Sequence, residues 1–211
     1  MNSADRRTAI VREAIRLFAE GGFRGTTTRK LADALGVSEP VLYQHFPSKR
    51  DLYCAIIETK AGEVTRHAAH LRALARGSDD RAFFDALGAA ILRRYEEDPE
   101  LTRLVFFSAL EGHELAELFY EHLHARLYRL VSAYMRRRMR EGAFRQLNAE
   151  IAARGLIGMI SYHGLVDILF PGRLKRPGRE RTVAAMVTIF LDGIKATSGP
   201  EPRAGGIRLS Q

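Results

Sequence analysis

Apolar residues recur at helical spacing along almost the whole chain, and nowhere does an alternating apolar/polar run end in hairpin-turn residues. An all-α fold is therefore predicted. A first helix over about 4–20 puts Ile10, Ala14, Leu17 and Phe18 on one face and ends at Gly21-Gly22. Two short helices follow, then a long one from Ser48 to about residue 75. Asp79 or Asp80 caps the next, over 81–97. Asp98-Pro99-Glu100 starts another over 99–110, with a capping acid, a proline at the first helical position and an acid at the positive end of the dipole. That helix is apolar nearly all round and is expected to be buried. Helices over 114–141, 148–169 and 178–196 complete the pattern, and a glycine- and proline-rich tail from Ser198 reads as disordered.

The chain has 211 residues, 46 % of them hydrophobic, which suits one domain or a small domain joined to a larger one. No apolar run approaches the ~18 residues a membrane span needs, and no membrane partner is expected. The polar start, with Asp5, Arg6 and Arg7, does not look like a secretory signal, and a lone Cys54 cannot form an intrachain disulfide. A cytoplasmic protein is expected. The net charge of +8 makes a polyanionic partner plausible, although it divides as +3 in residues 1–60 and +5 beyond, so charge alone locates no surface. There is no H-E-x-x-H, P-loop, G-x-S-x-G or C-x-x-C, so neither an enzyme nor a cofactor is expected. Glu63, His67 and His70 share a helix face but read as exposed side chains, and no metal is assigned.

Residues 26–53 carry the logic of a helix-turn-helix. Thr27 or Thr28 caps a helix that buries Leu31, Ala32 and Leu35; Gly36 makes the turn, Val37 fills the corner and Ser38 caps a second helix. On that helix Leu42 and Phe46 face inward, which turns Pro40, Val41, Tyr43 and Gln44 outward. Such a face suits the DNA major groove, where Gln pairs with adenine and Pro or Val touches a thymine methyl. Ser48 and Asp51 form a capping box at the next helix, and a helix start carrying Lys49 is a good phosphate clamp. Alone, each of these residues would fit a small three-helix packing element with a solvated basic face.

The segment from Ile10 to Ile57 resembles the DNA-binding domain of the TetR/AcrR family of bacterial transcriptional regulators. Its pattern G-hydrophobic-S-x-x-x-L-Y-x-H-F-x-S-K-x-x-L is matched from Gly36 to Leu52 without a gap. The resemblance implies a helix-turn-helix domain over residues 1–48, a helical ligand-binding and dimerisation domain over 49–197 and a tail over 198–211. It also implies a homodimeric regulator, read as a repressor, that binds a palindromic double-stranded DNA operator and releases it when a small apolar or amphipathic effector binds. By the same resemblance Thr28, Tyr43, His45 and Lys49 meet phosphates, while Pro40, Val41 and Gln44 read bases. Many members carry a pair of smaller residues in place of Pro40-Val41.

Beyond residue 57 the resemblance is architectural only. The helix over 114–141 carries an apolar stripe (Leu115, Phe119, Leu123, Leu127, Leu130) and a polar-tipped one (Tyr120, His124, Tyr128, Val131, Met135). The second suits a pocket wall; core tyrosines bonded to nearby carbonyls are the alternative. Tyr120, His124 and Tyr128, with Phe107, Glu111, Tyr162 and His163, are the candidate ligand-binding residues. Small residues dense in the 148–169 helix suggest close helix approach, and Gly155, Gly158, Ala184, Val187 and Leu191 are the expected dimer contacts. The run Arg136, Arg137, Arg138 and Arg140 reads as a solvated helix end.

Overall fold

A computed structural model describes residues 3–112, 114–173 and 177–195, with the side chains of 3, 61–68, 114–115 and 122–123 outside the description. The tail from Ser198 and the Glu63 and His67 side chains thus lie outside the described residues. The chain folds into α1 (Ser3–Gly25), α2 (Thr28–Leu35), α3 (Glu39–His45), α4 (Lys49–Leu74), α5 (Asp80–Glu97), α6 (Pro99–Leu110), α7 (Glu114–Phe119), α8 (Ala125–Arg140), α9 (Ala149–Leu169) and α10 (Arg179–Ile194). A π-helical turn, Tyr120–His124, joins α7 to α8. No strand occurs among the described residues, which bears out the all-α fold; Phe144 and Lys195 form an isolated antiparallel bridge.

Five helix starts are set by the side chains that local chemistry selects. Thr27 Oγ1 accepts from Lys30 N at 3.1 Å, Ser48 Oγ from Asp51 N at 3.1 Å, Asp79 from Ala82 N at 2.9 Å, Asp98 from Leu101 N at 3.1 Å and Asn148 from Ile151 N at 3.0 Å. Ser38 departs from this pattern. It occupies the cap position of α3 without a side-chain bond, and Pro40 fixes the backbone of that first turn. Helix α1 does not stop at Gly21-Gly22: Gly22, at φ +68°, kinks it, and helical structure continues to Gly25.

Two apolar cores result. The amino-terminal one joins Ile10, Ala14 and Phe18 of α1 to Leu31, Leu42, Phe46, Leu52 and Tyr53, and it also takes in Leu101 and Leu104 of α6 and Phe119 of α7. The larger one lies among α5, α8, α9 and α10, around Phe83, Phe84, Leu87, Val131, Met135, Leu156 and Ile160.

Four expectations need correction. Helix α6 is buried on one face only, through Leu101, Leu104 and Ser108, because it rests mainly on α1 and turns its other face outward; Phe107 is 38 % and Leu110 85 % exposed. The two stripes of the 114–141 helix exchange roles at the π turn, whose wider turn shifts the register. Phe119 of the first stripe is buried before it, Val131 and Met135 of the second after it, while Tyr120 is 48 % exposed. Val187 and Leu191 are 0 % and 3 % exposed inside the chain's own core, out of reach of a second chain. Nor is the arginine run merely solvated. Arg138 pairs with Asp80 (Nε–Oδ1 2.8 Å), which also accepts from the Tyr134 hydroxyl at 2.6 Å, and Arg137 donates to the Ala75 carbonyl at 3.1 Å.

Candidate nucleic-acid interface

Helices α2 and α3 meet through the turn at Gly36, whose φ of +64° lets its amide bond back to Ala32 O and Asp33 O. Inward-facing Leu31, Ala32 and Leu42 fix the pair against α1 and α4. This leaves Pro40, Tyr43 and Gln44 exposed and Val41 half-buried on the outer side of α3, as the helical geometry predicts. The Tyr43 hydroxyl donates to Thr28 Oγ1 at 3.4 Å, and Thr28 donates to Glu39 at 3.1 Å, so two of the predicted phosphate positions, Thr28 and Tyr43, are bonded to each other across α2 and α3. His45 is half-buried at the end of α3.

Lys49 stands at the start of α4 but points inward. Its ammonium lies 3.9 Å from the centre of the Phe23 ring and 5.7 Å from that of Phe18, and it donates to the Phe23 carbonyl. Burial lowers its proton affinity, and the nearby Glu111 carboxylate works the other way. Glu111, the residue after α6, packs against Gly22 and accepts from Arg24 N at 3.4 Å. Beside it the Tyr53 hydroxyl of α4 and Ser108 Oγ of α6 share a buried hydrogen bond of 2.6 Å. Both links bind the end of α6 to the helix-turn-helix unit.

Residues 10–56 match the family profile described as bacterial regulatory proteins, tetR family, and residues 85–193 match that of the AefR-like transcriptional repressor C-terminal domain. The chain belongs to the TetR family. These are DNA-binding transcriptional regulators, and α1–α3 with the start of α4 are its DNA-binding part. Among relatives, the chain is 34 % identical over 102 residues to the HTH-type transcriptional activator FasR of Mycolicibacterium smegmatis, covering 48 % of this chain and 46 % of that one. It is 30 % identical over 178 residues to the nucleoid occlusion factor SlmA of Marinobacter nauticus, covering 81 % and 83 %. The matches to FasR and to tetracycline repressors of classes A and C each span less than half of the relative's length. A TetR-family regulator from Mesorhizobium loti has the same fold, with a TM-score of 0.70 at 22 % identity, covering 93 % of this chain and 100 % of that one.

In the body of this TetR-family chain, the seven candidate ligand residues do not form one site. Tyr120, His124 and Tyr128 come together: the His124 ring stacks between the two tyrosines, with centroids 6.5 and 6.4 Å away. Burial and the charge of Arg94 push the His124 imidazole down to about 4, so it is neutral at pH 7. Phe107 lies on the outer side of α6, Glu111 at the junction with α1, and Tyr162, 70 % exposed, on the outer face of α9. His163 lines a different space, a cleft of about 350 Å³ with Tyr95, Arg103, Asp167 and Arg179. Sequence reasoning missed Arg94 and Tyr95 beside the His124 cluster. The one signal is spacing: Leu87 and Ile91 follow Phe84 at steps of three and four, and Arg94 and Tyr95 stand three and four residues beyond Ile91.

Of the expected dimer contacts, Gly155 and Gly158 are exposed and Ala184 is half-buried. Together with Ile151 and Tyr162 the two glycines form an exposed stripe along α9, and Ile189 is exposed on α10. Gly164, by contrast, serves packing within the chain: a methyl group there would stand 2.6 Å from Tyr95 Cγ.

Proposed function

We propose that this TetR-family regulator is a homodimeric repressor that binds a palindromic operator and leaves it when a small apolar or amphipathic effector enters the body between α5, α7 and α8. In this reading residues 1–48 bind DNA, residues 49–197 bind effector and partner, and Tyr120, His124 and Tyr128 face the ligand. Thr28, Tyr43, His45 and Lys49 hold phosphates, and Pro40, Val41 and Gln44 face bases. Lys49 must then leave Phe23 to reach a phosphate. The exposed apolar stripe of α9, with Gly155 and Gly158 open to a close approach, supports a two-fold pairing through α9 and α10. A two-fold dimer presents two copies of α3, hence a palindrome.

The observation that carries the regulatory part is the bonding of α6 to the DNA-binding unit through Tyr53–Ser108 and Glu111–Arg24. A ligand that displaces α6 cannot leave α1 and α4 where they were. Selection of binding fragments from genomic DNA, followed by fluorescence anisotropy on the recovered site, tests the reading. A rough palindrome bound at least a thousand-fold tighter than random DNA is expected; equal affinity for both would instead mark a sequence-tolerant structural DNA-binding protein.

A further inference from the structure

Arg94 is a cation placed on an apolar stripe. It follows buried Phe84, Leu87 and Ile91 on α5, and its half-buried guanidinium lies 5.5 Å from the centre of the Tyr95 ring and 6.0 Å from that of Phe119. It makes no ion pair with a described residue, whereas Arg138, also half-buried, has Asp80 and Glu141. Aromatic faces attract a guanidinium but supply none of the acceptors its five N–H groups need. Among the described residues only ring faces lie against this guanidinium, which leaves its N–H groups open to an anion.

Two further polar groups beside it have no hydrogen-bond partner among the described residues. Phe119, which lies against Arg94, is also 5.5 Å from the His124 ring, on which Tyr128 stacks at 6.4 Å. Neither the His124 imidazole nor the Tyr128 hydroxyl is hydrogen-bonded to a described residue. Two interior tyrosines are bonded, by contrast: Tyr134 donates to Asp80 and Tyr53 is bonded to Ser108, each at 2.6 Å. The π turn brings this group together, because its extra residue turns His124 toward the side occupied by Phe119. One positive charge, two neutral hydrogen-bonding groups and aromatic walls converge between α5, α7 and α8.

We propose that this site takes an apolar monocarboxylate, its head held by Arg94 with hydrogen bonds from His124 and Tyr128 and its body laid along Phe119 and Tyr95. That this ligand is the effector rests on the functional reading above; its chemistry rests on the site alone. A single arginine matches one negative charge, and its planar fork pairs with both oxygens of a carboxylate. A phosphate dianion would leave a charge unmatched in an aromatic site.

Calorimetric titration of the full chain with decanoate and 4-phenylbutanoate, each beside its corresponding primary alcohol, tests this. At least one acid is expected to bind ten-fold or more tightly than its alcohol. Arg94→Gln should abolish that preference and leave alcohol binding unchanged, Tyr128→Phe should reduce it several-fold, and Arg103→Gln, in the neighbouring cleft that shares Tyr95, should not alter it. In the wild-type chain itself the side-chain Nε–H resonance of Arg94 should move with the acid and not with the alcohol. Absence of acid binding, equal binding of acid and alcohol, or a preference that survives Arg94→Gln overturns the proposal. Operator affinity measured in parallel separates the two readings: acids that bind through Arg94 yet leave operator affinity unchanged keep the carboxylate site and sink its role as effector site.

Discussion

Lys49 lies on the Phe23 ring, and the phosphate contact proposed for it has a measurable signature. Lys49→Ala should weaken binding to operator and random DNA alike and lower the salt slope by about one per half-site, whereas Gln44→Ala should mainly relax sequence preference. Anisotropy titrations over a salt series check both, and unchanged affinity and slope in Lys49→Ala would remove it from the interface. His124 makes a second prediction. Its folded-state proton affinity, near 4, lies below the ordinary 6.5, so the unfolded chain binds the extra proton between those values. Its contribution is fully present above pH 6.5 and is lost as pH falls toward 4, by roughly 2–3 kcal/mol at most. Urea unfolding at pH 7 and at pH 4.5 should show a smaller loss in His124→Gln than in the wild type; equal losses would place the acid sensitivity elsewhere. At this scale the outward residues of α3 were legible because Gly36 to Leu52 combine turn, cap and buried spacing in one run. Arg94 was not, because a charge inside an apolar stripe reads as an interruption until the rings around it are seen.

Helix starts were legible wherever a capping side chain and its target amide lie three residues apart, as at Asp79, Asp98 and Asn148. The π turn was not, since a register shift inside a helix leaves apolar spacing on both sides of it intact. The outward face of α6 was hidden for a related reason: an apolar composition states what a helix can bury, not which neighbours exist to cover it. The small residues of α9 show the same ambiguity, because Gly158 faces open space and Gly164 a tyrosine ring six residues on. Gly164→Ala should therefore push Tyr95 off its seat and destabilise the chain by about 1–3 kcal/mol, despite alanine's better helix propensity. Urea unfolding measures this; a gain in stability would mean that Tyr95 moves aside freely.

Assembly belongs to the whole molecule. Gly158→Arg or Ile189→Glu should yield monomers in sedimentation and abolish tight operator binding while each chain stays helical, because a charged side chain would then stand in the proposed contact of α9 and α10. Full dimerisation of both variants at micromolar concentration would require another face. Val187 and Leu191 show the limit of the sequence here, since an inward apolar side chain and one awaiting a partner have the same spacing. The amino-terminal core has a different consequence. Its walls include Leu101, Leu104 and Phe119, contributed by helices that begin more than fifty residues after α3 ends. A graft that moves only residues 1–48 onto a foreign regulator would carry half an interior and leave Phe18 and Tyr53's site open to water. Exchange of operator preference between relatives should therefore succeed by replacing the outward residues of α3 in place, and transplanting the whole head should succeed only when α6 travels with it.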